Sequence, residues 1–257
     1  VSEVALEARS VVKRFGGLLA VNRVDFTLSE GMIASIIGPN GAGKTALFNV
    51  FTGIYPADGG EVLVRGQSIR GLTPDRITAL GVARTFQNIR LFKNMTVLEN
   101  ALVGMHARIA LRLSDVVARS PGFAREEGRA VSRALELLDI VGLRGKEDQI
   151  ARNLAYGDQR RLEIARALGA EPRVLLLDEP TAGMTQPEAH QLMDFLRRLI
   201  RDFGLTILLI EHNMRIVMEV SQRVTVLDHG EKIAEGTPEE VRGDARVVEA
   251  YLGRRAK

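Results

Sequence analysis

The chain has 257 residues, with 35 lysines and arginines against 32 aspartates and glutamates, a net charge of +3 that excludes an electrostatic case for nucleic-acid binding. It has no cysteine, which excludes disulfides and thiolate chemistry and fits a reducing compartment. The length allows one large core or a core plus a subdomain, and the apolar runs, such as residues 207–210, fall far short of the ~18 residues a membrane helix needs, so any membrane role is peripheral; Glu3, Glu7 and Arg9 leave no apolar stretch for a secretory signal.

In chain order, residues 4–12, 21–28 and 32–37 are β-like runs punctuated by Gly16-Gly17 and Ser29-Glu30-Gly31. The third run feeds Gly38-Pro39-Asn40-Gly41-Ala42-Gly43-Lys44-Thr45, followed by a helical pattern over 44–54. This is the phosphate-binding pattern G-x-x-x-x-G-K-[ST] in the strand–loop–helix setting it requires. Successive N–H groups of such a loop form a concave anion site, and the helix N-terminus adds roughly half a positive charge. Lys44 is placed to reach the β/γ-phosphates of a nucleotide, and the Thr45 hydroxyl to bind Mg²⁺.

A β run at 61–65 comes next. Thr73-Pro74-Asp75 then opens a helix, with threonine as N-cap and proline at the first helical position. Residues 96–143 read as mainly helical. Thr96-Val97-Leu98-Glu99 is a capping box, Val131, Leu135, Leu138 and Val141 recur at helical spacing, and Ser120-Pro121-Gly122 breaks the mixed stretch 114–128. From Arg160 the pattern becomes helix, strand (174–177), helix (188–203), strand (206–210) and helix (214–220), which implies parallel strands with crossover helices. Residues 224–227 and 232–234 form a hairpin turning at His229-Gly230, and Arg254, Arg255 and Lys257 make a basic, solvated tail.

The apolar run at 174–177 ends in Asp178-Glu179. Ligands lie at the carboxyl ends of parallel strands, so Asp178 is placed to hold Mg²⁺, directly or through water, and Glu179 to take a proton from an attacking water. Read alone, the pair is equally a polar strand end before Pro180.

The segment Asn153-Leu154-Ala155-Tyr156-Gly157-Asp158-Gln159-Arg160-Arg161-Leu162-Glu163, directly before that strand, resembles the signature helix of ABC-transporter ATPases. Gln87 resembles their Q-loop glutamine, His212 their switch histidine, and Phe15 the aromatic that stacks on adenine. Taken singly, Gln87 also reads as a loop amide, His212 as a strand-end cap and Phe15 as a core side chain; it is their common order along the chain that is specific. Within the superfamily the chain is most similar to the ATP-binding subunit of branched-chain amino-acid importers, through Arg14-Phe15-Gly16-Gly17, Thr85-Phe86-Gln87-Asn88-Ile89-Arg90-Leu91-Phe92, Tyr156-Gly157 and Ala250-Tyr251-Leu252-Gly253.

The resemblance implies an α/β fold: a P-loop NTPase core with an antiparallel β subdomain (1–86 and 172–235), a helical subdomain (about 87–171) and a C-terminal helical extension (236–257). It implies ATP and Mg²⁺ as ligands. Glu179, His212 and Gln87 become the catalytic group, and Thr45, Gln87 and Asp178 the metal ligands. Phe15, residues 38–45 and Ala46 bind nucleotide within one chain, while Leu154, Ala155, Tyr156, Gly157 and Asp158 meet the nucleotide of a partner. The implied partners are a second ATPase subunit (the same chain or a paralogue), two membrane permease subunits and, indirectly, an extracytoplasmic solute-binding protein, with no nucleic acid. The implied location is the cytoplasmic face of the inner membrane.

An ATPase of a lipopolysaccharide-type exporter and a non-transport ABC ATPase are the alternatives; the latter usually adds a second ATPase domain, zinc modules or coiled coils. Five positions depart from the general pattern. Ala155, Tyr156 and Asp158 replace a serine, a glycine and a glutamine of the signature, leaving the Gly157 N–H and the helix dipole to meet a phosphate. Ala46 stands where a second hydroxyl is usual. Thr185 stands where Asp or Asn is usual, although Thr185-Gln186-Pro187-Glu188 is still a capping box. Asp158 is expected to turn aside toward Arg160 or Arg161.

Overall fold

The computed structural model describes residues 3–106 and 121–252. The basic tail, Gly253 and part of the mixed stretch 114–128 lie outside the described residues. The first half of the chain forms β1 (Val4–Phe15), β2 (Leu18–Ser29), β3 (Ile33–Ile37), α1 (Lys44–Phe51), β4 (Gly59–Val64), β5 (Gln67–Ser68), α2 (Pro74–Ala79), β6 (Val82–Arg84) and α3 (Val97–Gly104). The second half forms α4 (Pro121–Ile140), α5 (Tyr156–Leu168), β7 (Val174–Asp178), α6 (Gln186–Phe203), β8 (Thr206–Ile210), α7 (Met214–Val220), β9 (Arg223–Asp228), β10 (Glu231–Gly236), α8 (Pro238–Gly243) and α9 (Ala245–Leu252). Two compact units result: Val1–Gln87 with Arg173–Lys257, and Asn88–Pro172.

The first unit holds two sheets. One is antiparallel, in the order β2-β1-β4-β5. Its strands alternate, with Val24, Phe26 and Leu28 buried and Asp25 and Thr27 exposed, so only one face meets the core. The other sheet has the order β10-β9-β3-β8-β7-β6 and is parallel except for β10, which returns from β9 as the expected hairpin. Every residue of β3, β7 and β8 is buried, as strands covered on both faces must be. Leu47, Phe48 and Phe51 of α1 share one core with Phe26 and Leu28 of the first sheet and Ile36, Leu176, Leu208 and Ile210 of the second. The helix that follows the phosphate loop is therefore gripped by both sheets. A smaller core joins Ile37 to Val224, Val226, Ala234, Val241 and Val247.

Some local expectations shift. Thr73 makes no side-chain cap bond; its hydroxyl is taken by the Asp75 carboxyl, which it holds below the usual carboxylate range. The expected break at Ser120-Pro121-Gly122 falls at the edge of the described residues, where α4 is described from Pro121 on. The buried stripe of α4 is Ala130, Ala134, Leu137 and Leu138, with buried Val141 just beyond its end, while Leu135 is 40% exposed. Two alanines, Ala130 and Ala134, are inward residues, which rotates the buried face away from Val131 and Leu135. Both expected capping boxes form: the Glu99 carboxylate accepts from Thr96 N at 2.7 Å, and that of Glu188 from Thr185 N at 2.8 Å.

In the second unit α3 and α5 meet backbone to backbone, since a Cβ added at Gly104 would lie 2.0 Å from the Arg166 carbonyl oxygen. Arg160 of α5 is fully buried, and its Nη1 donates to Glu163 Oε2 at 2.7 Å; the other Glu163 oxygen accepts from Arg90 N at 3.2 Å. Removing one member of such a pair leaves an uncompensated buried charge. Arg160→Ala is expected to destabilise the helical unit by about 3–5 kcal/mol, measurable as a lowered urea midpoint for that unit's transition.

Candidate functional site: phosphate loop and carboxylate edge

Because β6, β7, β8 and β3 are parallel neighbours, their carboxyl ends share one edge of the sheet. That edge collects Thr85–Gln87 after β6, Asp178-Glu179 at β7, Glu211-His212 after β8, and the loop 38–43 after β3. The loop admits little but glycine at two places. Gly38 has φ +150°, and a Cβ there would lie 2.0 Å from the Leu227 carbonyl oxygen. Gly43 has φ +98°, and its Cβ would lie 2.2 Å from the Ala20 carbonyl oxygen. Gly43 is also the N-cap of α1 and makes no side-chain cap bond, and no acidic residue stands in the first turn. The N–H groups opening α1 are thus uncapped by side chains, which makes an anion site.

Lys44 is buried, and its Nζ donates to Gly38 O at 2.7 Å and Pro39 O at 2.9 Å, folded across the loop. Burial pushes its pKa down, opposed by the charges of Glu179 and Asp178. Asn40, Gly41 and Thr45 are exposed, Pro39 and Ala46 half-buried, and Ala42 buried.

The two carboxylates are held differently. Asp178 Oδ2 accepts from Arg84 Nη2 at 2.7 Å, with both side chains nearly buried. Arg84 Nη1 donates to Asn49 Oδ1 at 2.6 Å, and its guanidinium lies 5.4 Å from the Phe48 ring and 5.1 Å from the Phe86 ring. Asp178 Oδ1 is buried and has no hydrogen-bond partner among the described residues. Glu179 adopts φ +47°, uncommon for a residue with a side chain, and its N–H is tied to Ile210 O at 2.8 Å. Gln87 Nε2 donates to Glu179 Oε2 at 2.8 Å, and His212 Nε2 lies 2.7 Å from Glu179 Oε1. The structure therefore brings Gln87, Glu179 and His212, from three strand ends, into one hydrogen-bonded group.

Sequence reasoning missed the supports of that group. Glu211 accepts from Thr181 N at 3.0 Å, from Thr181 Oγ1 at 2.7 Å and from His212 N at 3.2 Å, pinning the turn after Glu179 onto the end of β8. Its burial pushes its pKa up, opposed by the Thr181 hydrogen bonds. Arg84 and Asn49 were missed as well. Of the three, only Glu211, next to His212, had a local signal in the sequence. Phe15, at the end of β1, is 40% exposed; the Tyr55 ring meets it edge-on at 5.0 Å and the Lys13 ammonium lies 5.5 Å from its centroid.

The signature residues belong to the helical unit. Leu154 is buried, Ala155 is the N-cap of α5 without a side-chain cap bond, and a Cβ at Gly157 would meet nothing within 4 Å. Tyr156 is exposed, its hydroxyl 3.4 Å from Arg160 Nη2. Asp158 does not pair with Arg160 or Arg161; its Oδ2 accepts from Lys146 Nζ at 2.5 Å. Arg160, two positions on, is turned into the core with Glu163, and i,i+2 side chains do not face each other; the Arg161 guanidinium lies beside Gly142.

The pattern of the ABC transporter family matches residues 21–182, and that of the branched-chain amino acid ATP-binding cassette transporters matches residues 231–257. Over 252 residues, 98% of this chain and 99% of the relative, the chain is 46% identical to the high-affinity branched-chain amino acid transport ATP-binding protein LivG of Escherichia coli K12. The chain belongs to the ABC transporter ATP-binding family. The ADP conformation of MJ1267, an ATP-binding cassette of an ABC transporter, superposes with a TM-score of 0.85 at 34% identity, over 98% of this chain and 99% of that one. A dimeric post-hydrolysis structure of the ATP-binding cassette MJ0796 with ADP and phosphate superposes with a TM-score of 0.76 at 25% identity, over 91% and 98%.

The Lys146–Asp158 pair is partly exposed, with side chains 38% and 21% accessible. Pairs of that kind contribute about 0–1 kcal/mol, and the carboxylate in the first turn of α5 a similar amount. Asp158→Gln in this ABC ATPase is expected to lower thermal stability slightly and to leave ATP-dependent association unchanged. An association strengthened tenfold by this variant, read by analytical ultracentrifugation, would mean that the carboxylate faces a phosphate.

Proposed function

We propose that this chain is the ATP-hydrolysing subunit of an importer for branched-chain or other apolar amino acids. The observation that carries the reading is the Gln87–Glu179–His212 group on the sheet edge that also holds the phosphate loop and Lys44. The solute class rests on the name of the LivG relative and on the branched-chain pattern over residues 231–257. That C-terminal match favours it over a lipopolysaccharide-type exporter or a non-transport ATPase.

In this reading the nucleotide phosphates lie along the loop N–H groups and the N-terminus of α1, with Lys44 turning from Gly38 O and Pro39 O to the β/γ-phosphates. Phe15 offers its exposed face to the base. Glu179 takes the proton of the attacking water. Its left-handed backbone and two side-chain partners fix where the carboxylate stands, which is what a positioned base requires. Gln87 and His212 exchange their bonds to Glu179 for bonds to the terminal phosphate and the water, so the base is released only when nucleotide is in place.

Among the described residues no group of three or more His, Cys, Asp or Glu side chains could hold a metal ion by itself. Mg²⁺ asks for less, since it keeps waters and takes substrate phosphates as ligands. The unpartnered, buried Asp178 Oδ1 and the exposed Thr45 hydroxyl fit it, with Gln87 as a further oxygen ligand. Bound there it would neutralise phosphate charge.

The ATP-driven unit is a pair of such subunits, the same chain or a paralogue, each nucleotide meeting the partner's α5 N-terminus through Ala155, Tyr156 and Gly157. The dimeric MJ0796 cassette supports that arrangement. Among the described residues no helix is long and apolar enough to cross a membrane; in this reading two permease subunits form the path for the solute. A solute-binding protein outside the membrane would deliver the amino acid. Phe92 and Met95 are exposed and Ile89 and Leu91 half-buried, an apolar group in the helical unit suited to receive a permease segment at the cytoplasmic face. Glu179→Gln keeps the shape and the bonds to Gln87 but removes the base. It is expected to bind ATP, to turn over about 10²–10⁴-fold more slowly and to accumulate as a dimer with ATP; phosphate release by the assembled transporter and the mass of the purified subunit check this.

A further inference from the structure

Arg84 is the last residue of β6 and stands in register with Leu176 of β7. Asp178 lies two positions beyond Leu176, so the three side chains share one face of the sheet. That face is covered by α1, since Leu176 is buried in one core with Phe48. Arg84 therefore meets α1 as well as β7. Its Nη2 donates to Asp178 Oδ2 at 2.7 Å and its Nη1 to Asn49 Oδ1 at 2.6 Å. The Phe48 and Phe86 rings lie 5.4 Å and 5.1 Å from the guanidinium. Its Nε has no hydrogen-bond partner among the described residues, so two directed bonds and two rings set its orientation.

Asn49 stands one helical turn from Thr45 on α1, and residues four apart lie on one face of a helix. Thr45 and Asp178, the two residues placed to hold Mg²⁺, are thus tied to each other through a side chain from a third element. Stability alone does not account for the arrangement. An apolar side chain of similar volume between two phenyl rings would fill the core as well as a buried ion pair does. What an apolar side chain cannot do is hold Asp178 by Oδ2 and leave Oδ1 open. A guanidinium is planar and carries its donors in a fixed fork, so it sets the angle of a carboxylate as well as balancing its charge. Carboxylates that serve a metal are oriented by such hydrogen-bonded neighbours.

We propose that Arg84 is a positioning residue for the metal site. It bridges Asn49 and Asp178 and so fixes the spacing and angle at which the Thr45 hydroxyl and Asp178 Oδ1 are offered to Mg²⁺. This rests on the reading of Thr45 and Asp178 as the Mg²⁺ residues and deepens it. The role is one of geometry, because the positive charge of Arg84 taken alone repels a cation. The loop N–H groups and Lys44 meet the phosphates without Arg84. It therefore acts on the part of nucleotide affinity that Mg²⁺ adds, and not on the part that remains without metal.

The test compares the full chain with Arg84→Lys, which keeps the charge and loses the fork, and with Asn49→Ala, which keeps the guanidinium and loosens its hold on α1. Affinity for AMPPNP, a non-hydrolysable ATP analogue, is measured by equilibrium dialysis in EDTA and over a Mg²⁺ series. Thermal unfolding establishes that each protein is folded at the assay temperature. The expected result is an affinity in EDTA within about twofold of the parent for both variants. The Mg²⁺ concentration that gives half of the metal-dependent gain rises about 10-fold or more in Arg84→Lys, the usual effect of losing a metal ligand's support. In Asn49→Ala it rises about 2–10-fold, the effect of one lost hydrogen bond. An unchanged Mg²⁺ dependence in either folded variant would overturn the proposal. So would an equal loss of affinity with and without Mg²⁺, which would make Arg84 a packing residue only. Asn49→Ala decides the matter where Arg84→Lys does not fold. Asp178→Asn separates this from the underlying reading: it is expected to abolish the Mg²⁺ dependence, and a full dependence in that variant would instead remove Asp178 from the metal site.

Discussion

The site depends first on the room left to the backbone between β3 and α1. At Gly38 and Gly43 a side chain would run into the carbonyl oxygens of Leu227 and Ala20, from β9 and β2. One carbonyl comes from each sheet, so the loop is clamped by the same two layers that grip α1 through Phe48 and Phe51. With the chain forced through that gap, the first N–H groups of α1 point outward from an N-cap that has no side chain to satisfy them. A helix opened this way has partial positive charge and no internal partner for it. Phosphate binding is thus a consequence of how the two sheets pack, expressed where glycine lets the backbone through.

The carboxylate edge solves the opposite problem, that of holding negative charge in a buried place. Asp178 is neutralised on one oxygen by Arg84, itself fixed by Asn49 and two aromatic rings. The other oxygen is left without a partner. A buried acceptor without a partner costs about 1–3 kcal/mol, a cost that a cation bound beside it would offset. Glu179 is kept in a less favourable backbone conformation and shared between a glutamine and a histidine. Glu211 sits one residue from His212 and locks the turn that carries Glu179. Three carboxylates within a few residues of the sheet edge thus have three environments, and only Glu179 is held by groups that can let go of it.

The spacing of residues 38–45, the Asp178-Glu179 strand end, His212 and the parallel strand pattern were legible in the sequence, because each depends on residues adjacent in the chain. Where side chains met distant ones, the reading failed. The partner of Asp158 is Lys146, twelve positions before it, because a loop, and not the next turn of α5, passes its carboxylate. The buried face of α4 was misplaced at Leu135 because alanines, weak in any hydropathy pattern, are among its buried residues. Arg84 beside Asp178 joins residues 94 positions apart. No periodicity reports such a pair. Thr73 shows the smaller error: the right residue at the right helix start, with its hydroxyl drawn to Asp75 and away from the backbone.

That residues 38–45 hold the phosphates through Lys44 is the claim on which the rest turns. Its most direct measurement is equilibrium binding of labelled ATP to the purified chain and to Lys44→Ala, with unfolding temperatures compared to establish that both are folded. The ammonium supplies charge-assisted hydrogen bonds of about 1.5–3 kcal/mol, so ATP affinity should fall about 10–100-fold while the unfolding temperature changes little. Undiminished affinity in Lys44→Ala would place the nucleotide elsewhere and contradict the account.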